Sequence, residues 1–483
     1  MDAYNKKYGT TYDAKSFFIE VYYPLFFGNS KYLQWTQNSP FVQGLVSSKT
    51  GESGTLLEGK DGKSLTFSNE EAAQKYIKDN QISNNDIIEI KKEKNKAQYK
   101  VIRRLKADDF QFMLNTFINK VENCKTPDAS IAPGYPASEE KEFATTSGQV
   151  SNLDISISKA DIYLSWIGSS LSIGMTGGYL LLSHQDILLD LFEGWRQYRI
   201  SLNETVKLKG NQVNAWNGQW LYHRYDKCFN QDQPMAGFMP YTSTTDGMSV
   251  TNLSWTKILI KIAQRFNNIK LLGYFYGFDT IRKLPTTFGF IPINLEKIKR
   301  PVELYQRYFG MKDNEDNKAE NLWGTEYGLK GSCKLGVIGV KAMQPEGLTQ
   351  YMVADKGKDV KLPKYDGKQI INFHIYQIWL LAMLNNEELW TKSMEFAKAL
   401  QSFVNKDKNL STKRRNQVKD ILSSTSKKSF LLALSEIAPD IESFNTIEEN
   451  AKVIHMMPTD NVPYFLALIR FHYAGLSNKN NQK

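Results

Sequence analysis

Cysteine is scarce in this 483-residue chain: Cys124, Cys228 and Cys333 stand far apart, with no Cys-x-x-Cys pair. An odd, dispersed set builds neither a disulfide framework nor a zinc ribbon, and it fits a reducing, cytoplasmic setting. Histidine is also rare. His184, His223, His374, His455 and His472 are the full set, and none lies within four residues of another. That spacing disfavours a local histidine metal site, so no metal or cofactor is expected. The chain also lacks a Gly-x-x-x-x-Gly-Lys-Ser/Thr phosphate loop, a His-Glu-x-x-His helix, a Gly-x-Ser-x-Gly elbow and a dinucleotide fingerprint. No catalytic residue is therefore assigned. The first residues, Met1-Asp-Ala-Tyr-Asn-Lys-Lys, are polar and no apolar core follows them, so no secretory signal is expected.

Long hydrophobic runs are missing too. From Ile162 to Gln185 there is no Asp, Glu, Lys or Arg. The run is nevertheless diluted by Ser165, Ser169, Ser170, Ser172, Thr176 and Gly177. A buried strand–turn–strand explains it better than a membrane span, and no membrane partner is expected.

What is present is an ordinary globular composition, 41% hydrophobic and 23% charged, which excludes a wholly disordered chain. Lys and Arg total 61 against 51 Asp and Glu. An excess of positive charge favours polyanionic partners. The pattern predicts an α+β fold: mixed N-terminal and central domains followed by an antiparallel helical bundle. Residues 1–124 read as an α+β domain with a hairpin, Ile87 to Leu105, whose tip and outer face are basic. Ser68-x-x-Glu71 reads as a capping box, and Asp108-Asp109 opens a helix. Residues 125–152, rich in Pro, Gly and Ser, read as a linker or mobile loop. A central mixed domain over 153–342 and a loop over 343–368 follow. Over 369–483 the 3.6-residue period of Ile371, Ile375, Ile378, Trp379 and Ala382 begins the bundle. Ser411, Ser426 and the box Thr446-x-x-Glu449 supply caps, and Pro463 suits a first helical turn.

Three stretches could carry function. The hairpin places Lys91, Lys92, Lys94, Lys96, Lys100, Arg103, Arg104 and Lys106 together. A second cluster in the bundle includes Lys413, Arg414, Arg415, Lys419, Lys427 and Lys428. Dense cations displace counterions from phosphates and bind strands without reading sequence, although a solvated helix face looks the same. Between them, Asn211, Gln212, Asn214, Asn217 and Gln219 offer paired donors and acceptors suited to base edges, beside Trp216 and Trp220, which suit a core. His223 with Asp226 at i+3 has the look of a general base held by a carboxylate, the basis of an alternative hydrolase or nuclease reading. His374 lies on an apolar helix face and reads as a core histidine.

The order Gly177-Gly-Tyr-Leu-Leu-Leu, Leu191-Phe-Glu-Gly-Trp-Arg-Gln-Tyr-Arg199 and Val213-Asn-Ala-Trp-Asn-Gly-Gln-Trp220 comes first along the middle of the chain. Tyr274-Phe-Tyr-Gly-Phe278, Thr286-Thr-Phe-Gly-Phe-Ile-Pro-Ile293 and Val302-Glu-Leu-Tyr305 follow. Together they resemble the large subunit of type I CRISPR Cascade complexes of the I-B-like branch, over roughly residues 150–310. The resemblance implies a non-catalytic, cytoplasmic subunit of a guide-RNA complex, beside the backbone and RNA-end-binding subunits. It implies recognition of the short motif flanking a double-stranded DNA target and stabilisation of the opened DNA. Cutting would belong to a recruited helicase-nuclease or another nuclease. Some relatives carry a cysteine zinc site, for which this chain has no cysteine pairing. A different nucleic-acid-binding scaffold is the other alternative.

Overall fold

A computed structural model describes the chain except residues 35–39, 42–44, 46, 48–51, 94–96, 126, 128–133, 138–155, 246, 267–268, 279–284, 311–324, 354–359, 367–368, 407–408 and 480–483. Helices and antiparallel sheets together make an α+β fold, with helices dominating the C-terminal half. The chain divides into two units, residues 1–261 with 271–290, and residues 262–270 with 291–483.

The first unit is held by aromatic packing. Helix α1 (Asp2–Tyr8) is followed by three short helical turns, Ala14–Phe17, Phe18–Tyr22 and Tyr23–Phe26. Phe18, Tyr22, Phe26 and Phe27 from these turns meet Phe117, Tyr163, Trp166 and Trp195 from much later in the chain. Rings of this size bury large apolar areas and hold distant segments together. Hence the stretch 125–152, expected to separate two domains, falls inside one unit. Part of that stretch is docked: Ala137 is buried and its amide donates to Ser165 Oγ at 2.8 Å.

Strands β1 (Gly54–Leu56) and β2 (Thr66–Phe67) pair with the hairpin, which forms as expected from β3 (Ile87–Lys92) and β4 (Tyr99–Arg104). Helix α2 (Glu70–Asp79) covers it, packing Ala73 and Ile77 on Leu57 and Val101. Its cap is Asn69 and not Ser68: the Asn69 side chain accepts from the Ala72 amide at 2.7 Å. Helix α3 (Ala107–Asn123) starts at the expected acidic pair.

The uncharged run is mixed. Residues 159–170 form α4 (Lys159–Ser170), because Ser158 and Asp161 make a capping box and Ile162, Tyr163, Trp166 and Ile167 share one buried face. Only its second half is the expected strand–turn–strand, β5 (Ile173–Met175) and β6 (Gly178–Leu182), turning through Gly177 at φ 94°. Helices α5 (Gln185–Glu204) and α6 (Val213–Arg224), the small hairpin β7 (Tyr241–Thr244) and β8 (Gly247–Val250), and α7 (Trp255–Arg265) follow. Strands β9 (Lys270–Phe278) and β10 (Pro285–Asn294) complete a sheet of order β10–β9–β6–β5.

Close packing of α5 on α6 depends on Gly194. A Cβ there would lie 2.4 Å from the Trp220 ring, which is itself 1% exposed. Gly194→Ala is expected to cost about 1–3 kcal/mol through overpacking, despite the better helix propensity of alanine. Urea denaturation checks this, and a gain in stability would refute the packing argument.

The second unit contains α8 (Leu295–Phe309) and the bundle α9 (Ile370–Leu384), α10 (Glu388–Asn405), α11 (Ser411–Ser423), α12 (Lys427–Ile437), α13 (Phe444–Met456) and α14 (Val462–Lys479). Helix α14 packs against both α9 and α10. Arg300 and Arg307 of α8 share the carboxylate of Glu387, and Trp379 donates to the Val340 carbonyl at 2.8 Å. Ser426 caps α12 as expected. Ser411 is instead the first helical residue, and Thr446 lies within α13, where its carbonyl accepts from Asn450. His374 stacks on Phe309 at 3.7 Å, and burial lowers its pKa to about 4. Among the described residues, no helix is long and apolar enough to cross a membrane.

Candidate nucleic-acid interface

The hairpin's cations are not equally available. Arg103 forks onto the Asp109 carboxylate at 2.8 and 3.3 Å, and this bonding holds the Asp109 carboxyl below its ordinary range. Arg104 reaches Glu52 at 2.8 Å, and Lys100 reaches Glu93 at 2.5 Å. The two arginine pairs tie β4 to segments outside the hairpin, and the Lys100–Glu93 pair closes within it. Lys91 and Lys92 are exposed, with no carboxylate partner among the described residues. Lys94 and Lys96 lie outside the described residues. The free positive charge of the hairpin is thus smaller than the sequence suggests.

The amide segment is a correction. Asn217 is completely buried: its Nδ2 donates to the Ser170 and Ser172 carbonyls at 2.8 and 2.9 Å, and its Oδ1 accepts from Trp195 Nε1 at 3.0 Å. It cannot face a base. Gln212 accepts from the Val250 amide and Gln219 donates to the Thr251 carbonyl, both at 2.8 Å, so each pins α6 to the segment around β8. Asn214 has a buried Oδ1 without a partner among the described residues. Asn211 is exposed at a left-handed turn, φ 60°, with its amide bonded to the Tyr32 carbonyl. Trp216 and Trp220 are core residues, so a helix that looks like a base-reading face is an interior wall.

The bundle cluster divides in a different way. Arg414 is turned inward, 8% exposed, donating to the Phe403 carbonyl at 3.3 Å with its guanidinium over the Phe403 ring. It was expected at the surface and is a packing residue. Lys427 donates to the His455 carbonyl at 2.9 Å, tying α12 to the end of α13. Lys413, Arg415 and Lys419 of α11 and Lys428 of α12 are exposed, with no carboxylate partner among the described residues. Arg415 and Lys419 lie within about 40° of each other around α11, and Lys413 lies on another side of the helix. Beside α11 lies a cavity lined in part by Lys364, Tyr473 and Arg470. Its residues come from separate segments, so no sequence spacing signals it.

His223 and Asp226 do not form a dyad. The His223 ring packs on Phe238 and its Nε2 meets the Pro234 carbonyl at 2.9 Å, which requires the proton on Nε2. Asp226 is paired with Lys261 at 2.9 Å and accepts from the Cys228 amide. Burial pushes the Asp226 carboxyl up, but these two donors outweigh it and hold it below the usual range. No group of three or more His, Cys, Asp or Glu suited to a metal ion occurs among the described residues.

No family model, no curated protein and no solved structure matches this chain.

Proposed function

We propose that the chain is a non-catalytic, nucleic-acid-binding large subunit of an RNA-guided DNA-surveillance complex of the type I Cascade kind. The observation that carries the nucleic-acid part is the set of exposed cations on α11 and α12, Lys413, Arg415, Lys419 and Lys428, none of which has a carboxylate partner among the described residues. Unpaired cations on a rigid helix can track phosphates without reading bases. Support for the family part is the resemblance over residues 150–310. In this reading the partners are guide RNA held by backbone and RNA-end-binding subunits, a double-stranded DNA target, and a separate nuclease. Base pairing would read the target, leaving the protein a short flanking motif and the charged backbone.

Purification of the tagged chain from its own cells, with sequencing of co-purified RNA, tests this. Uniform short RNAs with repeat-derived ends are the expected result. A chain that returns alone and free of RNA at low salt removes the family reading.

A further inference from the structure

Arg470 carries a positive charge into the second unit with no carboxylate partner among the described residues. It projects from α14 and is 1% exposed. Its Nε donates to the Leu422 carbonyl and its Nη2 to the Ser424 carbonyl, both at 2.5 Å, while Nη1 donates to the Tyr351 carbonyl at 2.7 Å. Leu422 and Ser424 stand at the C-terminal end of α11, where the helix dipole is negative. That accounts for three of the five guanidinium N–H groups; the other two have no acceptor among the described residues. Burial lowers the guanidinium pKa to about 10, which leaves it charged at neutral pH. A buried charge lacking a counter-charge is costly, and an anion beside it relieves that cost.

Arg470 also lines a cavity of about 390 Å³. Leu362, Lys364, Tyr365, Leu422 and Tyr473 supply much of the remaining wall, and no Asp or Glu is among the lining residues. The cavity is therefore cationic at Arg470 and Lys364, and aromatic or aliphatic elsewhere. Arg415, one of the open cations of α11, is close enough to Tyr473 to act on its hydroxyl electrostatically. The cavity thus adjoins the cationic face.

We propose that this cavity takes one nucleotide unit, its phosphate at Arg470 and Lys364 and its base against the tyrosine and leucine wall. Three observations select that class: a volume at the scale of small-ligand sites, a positive end without acids, and an apolar aromatic wall beside a face suited to phosphates. A free nucleotide and a nucleotide within a strand share this chemistry; adjacency to α11 favours the strand, which rests on the reading of that face given above.

The test uses the full chain, an oligothymidylate carrying one photoreactive 4-thiothymine, and free dTMP. Cross-links are expected on peptides containing Tyr365 or Tyr473. Lys364→Ala, at an exposed residue, and Tyr473→Ala should each weaken oligonucleotide binding by about 5- to 50-fold, in the range expected for loss of one phosphate or stacking contact. Thermal unfolding of both variants checks that the bundle remains folded; the lysine variant keeps the test alive if the tyrosine variant does not. Oligonucleotide binding with cross-links elsewhere and unchanged affinity for Lys364→Ala overturns the cavity assignment while leaving the cationic face standing. Binding of dTMP without the oligonucleotide overturns the strand as source, and binding of neither overturns both.

Discussion

Replacing Lys413, Arg415 and Lys419 together by alanine is expected to lower the salt dependence of single-stranded DNA binding by about 2 in the slope of log affinity against log salt. Each phosphate neutralised on a single strand contributes about 0.7 to that slope, and three contacts sum to about 2. The same arithmetic makes the lost electrostatic contribution vary about 20-fold between 50 and 200 mM salt. Affinity at low salt should therefore fall steeply, while at high salt the variant and the parent converge. These side chains are exposed and carry no ion pair among the described residues, so the bundle itself should melt unchanged. Arg414 provides the contrast. Its guanidinium is spent on the Phe403 carbonyl and ring, so Arg414→Met should leave the slope intact and act on stability instead. Filter binding across a salt series separates the two outcomes. An unchanged slope for the triple variant removes α11 from the interface.

The second large effect is structural. Asn217→Leu should destabilise the first unit by about 3–5 kcal/mol, because three buried groups lose their partner at once. Those groups are the Trp195 indole N–H and the Ser170 and Ser172 carbonyls, all within 3.0 Å of the Asn217 amide. Leucine has a similar volume, so the loss reports missing hydrogen bonds more than a cavity. An earlier unfolding transition in urea is the expected result. Normal stability combined with a selective loss of DNA binding would return Asn217 to the role of a base reader.

Much of the fold was legible in the sequence. The hairpin of β3 and β4 follows from alternation at Ile88, Ile90, Tyr99 and Val101, and the bundle follows from its 3.6-residue period and its polar connections. Local rules misplaced caps by a residue or more, because Asn69 and Ser68 are chemically equivalent candidates and only the backbone at the turn chooses between them. The first half of the uncharged run hid a helix: without charges on its outer face, periodicity had little contrast to read.

The candidate site was legible only as composition. Counting cations gave Arg103, Arg104 and Arg414 the same weight as Lys413 and Arg415. Which of them face solvent depends on carboxylates and carbonyls distant in sequence, Glu52 for Arg104 among them. The amides misled for a related reason. A cluster of Asn and Gln can serve a ligand or close the hydrogen bonds of a crowded interior, and here Ser170, Ser172 and Trp195 claim Asn217, Val250 claims Gln212 and Thr251 claims Gln219.

By itself the sequence determined the α+β class, the helical C-terminal part, the scarcity of cysteine and histidine and the surplus of positive charge, since each is a property of composition or short-range periodicity. Tertiary structure alone decided which cations remain open, that the N-terminal and central segments share one aromatic core, and that Arg470 lies buried beside a cavity. The physical reason is distance along the chain: an ion pair, a ring contact or a cavity wall joins residues that no local pattern relates.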